Sequence, residues 1–349
     1  MSLSAVDLFC GAGGLTRGLL NKGIKVTHGV DFDLNCKYAY EKNNKNVRFI
    51  GESVTDISVD RLNEWFGGAG VRLLAGCAPC QPFSKYSSTR KTEDEKWKLL
   101  REFQRLVEGA LPELITMENV PQLKVHPIYL EFVKRLEELG YNLDYRVISC
   151  AQYGLPQMRK RLVLIGSRLG KIQIIKATTN PGNFATVRSA IGHLRPLMAG
   201  ERDKTDPLHY SASLNEINLK RIICSRPGGT WRDWPENLRA ACHGKKSGAT
   251  YASVYGRMEW DKPSPTITTQ SYGYGNGRFG HPEQNRALSL REAAILQSFP
   301  DNYEFFEPGT ETSTRAICTM IGNAVPVKLG EVVGESIRQH LIDQDICCW

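Results

Sequence analysis

Seven short apolar runs, at residues 5–9, 25–30, 47–50, 71–75, 114–117, 143–148 and 161–165, share the first half of the chain with helical periodicity at 15–21, 34–43, 59–66, 95–110 and 127–139. Strands separated by crossover helices pair in parallel, and a parallel sheet needs helices on both faces. The fold class expected is therefore α/β, a doubly wound, mostly parallel sheet. In such sheets ligands bind at the carboxyl ends of the strands, where the strand order reverses.

After Gly166 the texture changes. Residues 180–285 hold 14 Lys or Arg against 9 Asp or Glu, with 12 glycines and three of the six tryptophans. Turn signals such as Pro227-Gly228-Gly229 recur and helical periodicity fades. This predicts a second, loop-rich domain with a basic, aromatic face. Regular helix returns at 289–298 and 327–341, the last packing back on the first domain. The expected division is 1–179, an insertion at 180–285, a hinge at 286–317, and a return to the first domain at 318–349. Cys347, Cys348 and Trp349 read as a tail.

The net charge of +8 leans toward a polyanionic partner. No run approaches the ~18 apolar residues of a membrane span, and Asp7 breaks the first apolar run, so neither a membrane anchor nor a signal peptide is expected. The ten cysteines are scattered through a long chain, which suits free thiols in a reducing, cytoplasmic setting.

Four segments carry chemistry. Residues 7–14, Asp-Leu-Phe-Cys-Gly-Ala-Gly-Gly, run from a strand through a glycine turn into a helix. Thr16 stands where a dinucleotide fingerprint needs its third glycine. Asp31, closing the second strand, lies at the spacing of a ribose-binding carboxylate; the alternative is a tight turn with no ligand. Residues 76–84, Gly-Cys-Ala-Pro-Cys-Gln-Pro-Phe-Ser, follow the fourth strand, and Cys80 between two prolines is placed as a nucleophile. Cys77 with Cys80 also reads as a C-x-x-C pair, redox-active or zinc-binding, but Pro82 interrupts the helix the first needs and no second ligand pair serves the other. Cys77 is then expected to be small core filling. Glu118, after the fifth strand, reaches the same edge, where a thiol and a carboxyl acid suit attack on a ring that must be protonated. The segment Gln157-Met158-Arg159-Lys160-Arg161 would put Arg159 and Arg161 on one face of an extended strand.

Taken in order, these segments resemble the DNA (cytosine-5) methyltransferase family, in its stand-alone bacterial form. Residues 7–14 are similar to its cofactor motif, 79–84 to its Pro-Cys motif, 118–120 to its Glu-Asn-Val motif and 157–161 to its Gln-x-Arg-x-Arg motif. Residues 286–301 resemble its late conserved segment and 321–326, Ile-Gly-Asn-Ala-Val-Pro, its final motif. Residues 263–268, Pro-Ser-Pro-Thr-Ile-Thr, are similar to the core of the family's target recognition domain, which places that domain in 180–285.

The resemblance implies the S-adenosylmethionine-dependent methyltransferase fold and transfer of a methyl group to carbon 5 of cytosine in a specific sequence of duplex DNA, with S-adenosylhomocysteine as product. It implies attack by Cys80 on carbon 6 of a base flipped out of the helix, protonation of the ring by Glu118, and contact with the base oxygen by Arg161, with Arg159 nearby. It assigns the cofactor to Phe9, Gly11, Gly13, Gly14, Leu15, Asp31, Phe32, Asp56, Ile57, Pro79, Leu99, Asn323 and Val325, and no metal. Ser84, Arg226, Arg232, Arg257, Thr266, Thr268 and Arg278 are the candidates for DNA contact, and residues 84–97 for a lid. A monomer near the bacterial nucleoid, with a cognate restriction endonuclease acting independently and no membrane, is expected. The competing readings are a tRNA cytosine-5 methyltransferase of the same fold and a catalytically inactive DNA-binding regulator.

Overall fold

The computed structural model describes residues 2–79, 93–245, 250–310 and 312–346. Cys80, Ser84, residues 84–92 of the expected lid and the tail at 347–349 lie outside the described residues. By compactness the chain forms two units, the first made of Met1–Tyr153, Lys160–Thr178 and Ala324–Trp349, the second of Gly154–Arg159 and Thr179–Asn323.

The first unit is built on a seven-stranded sheet. Its strands are β1 (Leu3–Leu8), β2 (Val26–Val30), β3 (Arg48–Ile50), β4 (Val71–Gly76), β5 (Leu114–Asn119), β6 (Asn142–Ser149) and β7 (Lys160–Ser167), in the order β3-β2-β1-β4-β5-β7-β6. Strands β1 to β5 pair in parallel, whereas β7 runs antiparallel to both β5 and β6. Each expected strand is present with ends shifted by a residue or two. The parallel strands are continuous apolar runs because both faces are covered; Leu73, Leu74, Ile115 and Met117 are fully buried.

Five helices form the crossovers: α1 (Gly14–Asn21), α2 (Cys36–Asn43), α3 (Val59–Phe66), α4 (Glu93–Ala110) and α5 (Pro127–Glu138). Their ends follow local chemistry. Ser58 Oγ accepts from the Arg61 amide at 3.2 Å to start α3, and Gly67 in the left-handed conformation stops it. Pro127 opens α5, where a missing N–H costs nothing. Phe103 of α4 and Phe132 of α5 are wholly buried in the core.

The sheet topology positions the site. β1 lies between β2 and β4, so the strand order reverses there and opens a crevice at the carboxyl ends. Because β7 is antiparallel to β5, the amino end of β7 meets that same edge: Asn119 pairs with Leu162.

The second unit departs from the expected boundaries. It runs from Thr179 to Asn323 and also takes in Gly154–Arg159. The segment expected as a hinge belongs to it. The reason is its bonding to residues 206–210: Arg291 donates to the Asp206 carboxylate at 2.6 and 2.9 Å, and the Leu290 and Arg291 amides donate to Tyr210 O and Leu208 O. Within the segment, Arg286 donates through both Nη atoms to Glu292 at 2.7 Å. Among the described residues it holds four helices, α6 (Val187–Ile191), α7 (Glu216–Cys224), α8 (Leu290–Leu296) and α9 (Thr314–Asn323), with isolated β-bridges between them. Only α8 was foreseen from periodicity. The final helix, α10 (Val327–Asp343), lies in the first unit against α1, where Gly18 and Gly330 let the backbones touch: a Cβ on Gly18 would stand 2.5 Å from Gly330 Cα. One window of 314–343 is apolar enough to cross a membrane, but 72% of it is buried inside the fold.

Candidate active site

The turn after β1 is shaped by backbone freedom. Phe9 (φ 60°), Gly11 (φ 50°) and Gly13 (φ 87°) all take the left-handed conformation, unusual for a residue with a side chain such as Phe9. Among the described residues nothing lies within 4 Å of where a Cβ on Gly11 would be, so on their side the turn borders open space. Asp31 closes this concavity. Its Oδ2 accepts from the Gly11 amide and its Oδ1 from the Asp33 amide, both at 2.9 Å. Burial pushes its carboxyl above the usual range, against those two hydrogen bonds. Phe32 beside it is 72% exposed, an aromatic face with no packing of its own.

Of the other expected cofactor residues in the first unit, Gly13, Gly14 and Leu15 are buried in the turn and the first turn of α1. Asp56 is exposed, in the short helical turn after β3, and Ile57 is buried with its carbonyl accepting from Arg105 Nη2 at 2.9 Å. Pro79 is exposed beyond β4, Leu99 is half-buried on α4, and Val325 is buried just before α10. Asn323 is the exposed last residue of α9, in the second unit. The turn, the open space and an acceptor for hydroxyls fit a nucleoside cofactor such as S-adenosylmethionine.

Glu118 is 5% exposed at the end of β5. Arg161, second residue of β7, places Nε 2.8 Å from Glu118 Oε1. The approach is an ion pair without hydrogen-bond geometry, and Oε1 accepts no hydrogen bond among the described residues. Cys77 donates its thiol hydrogen to Glu118 Oε2 at 3.0 Å. Cys77 is half-buried rather than core filling, a correction with a clear cause: Gly76 pairs with Met117, so the next residue of the β4 segment falls beside Glu118. Asn119 Nδ2 likewise donates to Ala78 O at 2.9 Å. These side chains continue the ladder past the last backbone pair and fix the segment leading to Cys80.

Arg159 and Arg161 are engaged by different partners. Arg159 precedes β7 and belongs to the second unit, where it is buried and donates to Ile267 O at 3.1 Å and Gly322 O at 3.4 Å. Gln157 joins the same knot: its Nε2 donates to Leu296 O, and its Oε1 accepts from the Ile267 amide at 2.9 Å. Gln297 Nε2 donates to Ile321 O at 2.8 Å. The motif glutamine and first arginine thus hold the segment around Thr266 and Thr268. Gln297 and Gly322 went unrecognised in that role, although both lie inside motifs quoted from the sequence.

Of the arginines expected at DNA, Arg226 is exposed, 3.4 Å from Asp233, and Arg232 is exposed over the Trp231 ring. Thr268 is exposed, while Thr266 Oγ1 donates to Met158 O at 3.3 Å. Arg278 Nη1 is committed to Gly229 O and Arg257 O. Arg257 is a correction. It is 4% exposed and donates to the carbonyls of Ile222, Ser225, His281 and Gln284 and to the Asn285 amide oxygen. It is a structural hub, not a groove-reading side chain; glycine-rich surroundings hid this, because a chain short of regular structure needs side chains to satisfy its carbonyls.

A profile of C-5 cytosine-specific DNA methylases matches residues 3–339. The Type II methylase M.HgiDII of Herpetosiphon aurantiacus is 50% identical over 341 residues, covering 97% of this chain and 96% of its own. The Type II methyltransferase M1.HphI of Haemophilus parahaemolyticus is 31% identical, covering 97% and 87%. Among solved structures, one described as a prophage-encoded DNA modification methyltransferase of E. coli superposes with a TM-score of 0.74 at 20% identity, covering 98% of this chain and all of that one. The S. pombe Dnmt2 methyltransferase gives 0.64 at 16%, covering 99% and 100%.

Proposed function

The chain belongs to the C-5 cytosine-specific DNA methylase family, and on that premise we propose how its residues divide the work. The reaction is methylation of cytosine at carbon 5 in DNA, with S-adenosylmethionine as donor. The cofactor is held by the turn from Phe9 to Leu15, with Asp31 accepting from the ribose hydroxyls and Phe32 against the adenine. Bound there, it supplies a methyl group on a positively charged sulfur.

Carbon 5 of cytosine is a poor nucleophile while the ring is aromatic. Cys80, four residues past the end of β4 in sequence, attacks carbon 6 as a thiolate and makes carbon 5 electron-rich. Glu118 hydrogen-bonds the ring nitrogen and the exocyclic amine and protonates the ring as the bond forms. Arg161 meets the base oxygen and, 2.8 Å from Glu118, stabilises the carboxylate left once the proton has passed to the ring. Carbon 5 then takes the methyl group; its proton passes to solvent, Cys80 is expelled as a thiolate, and the ring proton returns to Glu118. The single observation that carries this division is Glu118: a buried carboxyl group at the carboxyl edge, paired with Arg161, with one oxygen that accepts no hydrogen bond among the described residues.

The second unit serves as the target recognition domain, with Arg226, Arg232 and the segment of Thr266 and Thr268 toward the duplex. The chain acts as a cytoplasmic monomer that protects a specific sequence within a restriction-modification system. The test is transfer of tritiated methyl groups to unmethylated genomic DNA and to tRNA side by side, followed by mapping of the modified sites. Label at carbon 5 of cytosine in one DNA sequence supports the reading; label confined to tRNA overturns it.

A further inference from the structure

Glu118 is held from two sides, and only one of its holders is a charged group. Arg161 approaches Oε1 along the ion pair at 2.8 Å, without the alignment of a hydrogen bond. The contact that orients the carboxyl plane is the other one, from the Cys77 thiol to Oε2 at 3.0 Å. A carboxyl group turns readily about its terminal torsion, which is broad and roughly two-fold. An ion pair from one side alone leaves that rotation loosely fixed, whereas a donor on the second oxygen removes it. Resting on the functional reading above, we propose that Cys77 is a positioning residue for the reaction: its thiol pins Oε2 of Glu118, so that Oε1 is the oxygen presented to the base.

The backbone supports this assignment independently. Gly76 is the last paired residue of β4 opposite Met117, which sets Cys77 directly beside Glu118. The Cys77 amide donates to Leu8 O at 3.3 Å and the next residue, Ala78, accepts from Asn119 Nδ2 at 2.9 Å. The thiol is thus carried on anchored backbone on both sides, and its half-buried position leaves it at the edge of the site rather than in the core. A side chain needed only for its volume would sit equally well as Ala or Ser; a donor would not tolerate Ala.

Cys77→Ala and Cys77→Ser in the full chain separate these cases. The measurements are single-turnover methyl transfer to a duplex containing the mapped site, the affinities for S-adenosylhomocysteine and for that duplex, and the melting temperature. Cys77→Ala should slow the single-turnover step about tenfold with both affinities and melting unchanged, and Cys77→Ser, which restores a donor, should recover to within about twofold of wild type. A wild-type rate in Cys77→Ala overturns the proposal. So does an equal defect in Ala and Ser, or a loss of rate that follows a loss of stability. An activity-free readout stands beside these. The S–H stretching band lost in Cys77→Ala should lie at the lower frequency of a hydrogen-bonded thiol and move up in Glu118→Ala; a band indifferent to Glu118 refutes the contact. Should the wild type show the shifted band but methylate no duplex, the functional reading fails while the contact stands.

Discussion

Replacing Arg257 by Ala separates two accounts of the basic second unit. An arginine that reads a base edge would leave stability nearly unchanged and cost about 1–3 kcal/mol of discrimination at one base position. The structure assigns Arg257 the opposite role. Its guanidinium satisfies the carbonyls of Ile222, Ser225, His281 and Gln284 and the Asn285 side chain, with 4% of the residue exposed. Burial pulls its own pKa down, so the charge is kept at some cost by those acceptors. Each buried acceptor left without a partner costs about 1–3 kcal/mol. If water re-satisfies all but two, the substitution still removes about 2–6 kcal/mol, a large part of a typical domain's stability. Urea denaturation followed by limited proteolysis reads the outcome: Arg257→Ala should lower the midpoint sharply and open the segment around residues 222–225 and 281–285 to cleavage. An Arg257→Ala protein with an unchanged midpoint and relaxed specificity at one base would refute the reasoning.

Other expectations follow from single contacts. Gly18→Ala would set a Cβ 2.5 Å from the Gly330 backbone and wedge α1 from α10, lowering melting by about 1–3 kcal/mol equivalent and weakening S-adenosylhomocysteine binding in calorimetry. Gly322→Ala would place a Cβ 2.3 Å from the Thr268 backbone; methylation of the mapped site should fall while cofactor affinity holds, as filter-binding and calorimetry would show. Asp31→Asn should weaken cofactor binding by about 1.5–3 kcal/mol. In the wild type, burial raises this carboxyl, so affinity should decline as pH falls at a higher pH than an ordinary Asp would give, and that decline should vanish in Asp31→Asn. Burial also raises Asp7 from 3.8 to about 7: the folded state binds the proton more tightly, so stability is favoured at low pH and lost as pH rises toward 7, by up to roughly 4 kcal/mol. Melting against pH should show that slope in wild type and lack it in Asp7→Asn, whose amide oxygen can still accept from Thr16.

The sheet was legible because its signal is local: each strand is an apolar run ended by turn residues, and each crossover helix has its own period. Glu118 and Asp31 were legible for the same reason, as acidic residues at strand ends. What periodicity could not show was direction. That β7 runs antiparallel, and so delivers Arg161 to Glu118, depends on pairing between strands distant in sequence. The second unit was the hardest to read. Its short helices at 187–191, 216–224 and 314–323 start from small caps such as Thr186 and Asn215, and its order comes from buried side chains on backbone carbonyls. Arg159, Arg257 and Arg286 look in sequence like surface charge; only tertiary contacts reveal them as internal donors. Cys77 was misread for a related reason, since its partner lies 41 positions away.

The central claim is covalent attack by Cys80 on a cytosine oriented by Glu118. A duplex carrying 5-fluorocytosine at the mapped site tests it most directly, because fluorine cannot leave as the carbon 5 proton does. Incubated with S-adenosylmethionine, the wild-type protein should form a denaturation-resistant complex. Digestion and mass spectrometry should place the adduct, with its transferred methyl group, on Cys80, and Cys80→Ala should form none. An adduct on Cys77, or methylated product released from the fluorinated duplex with no adduct at all, would contradict the account.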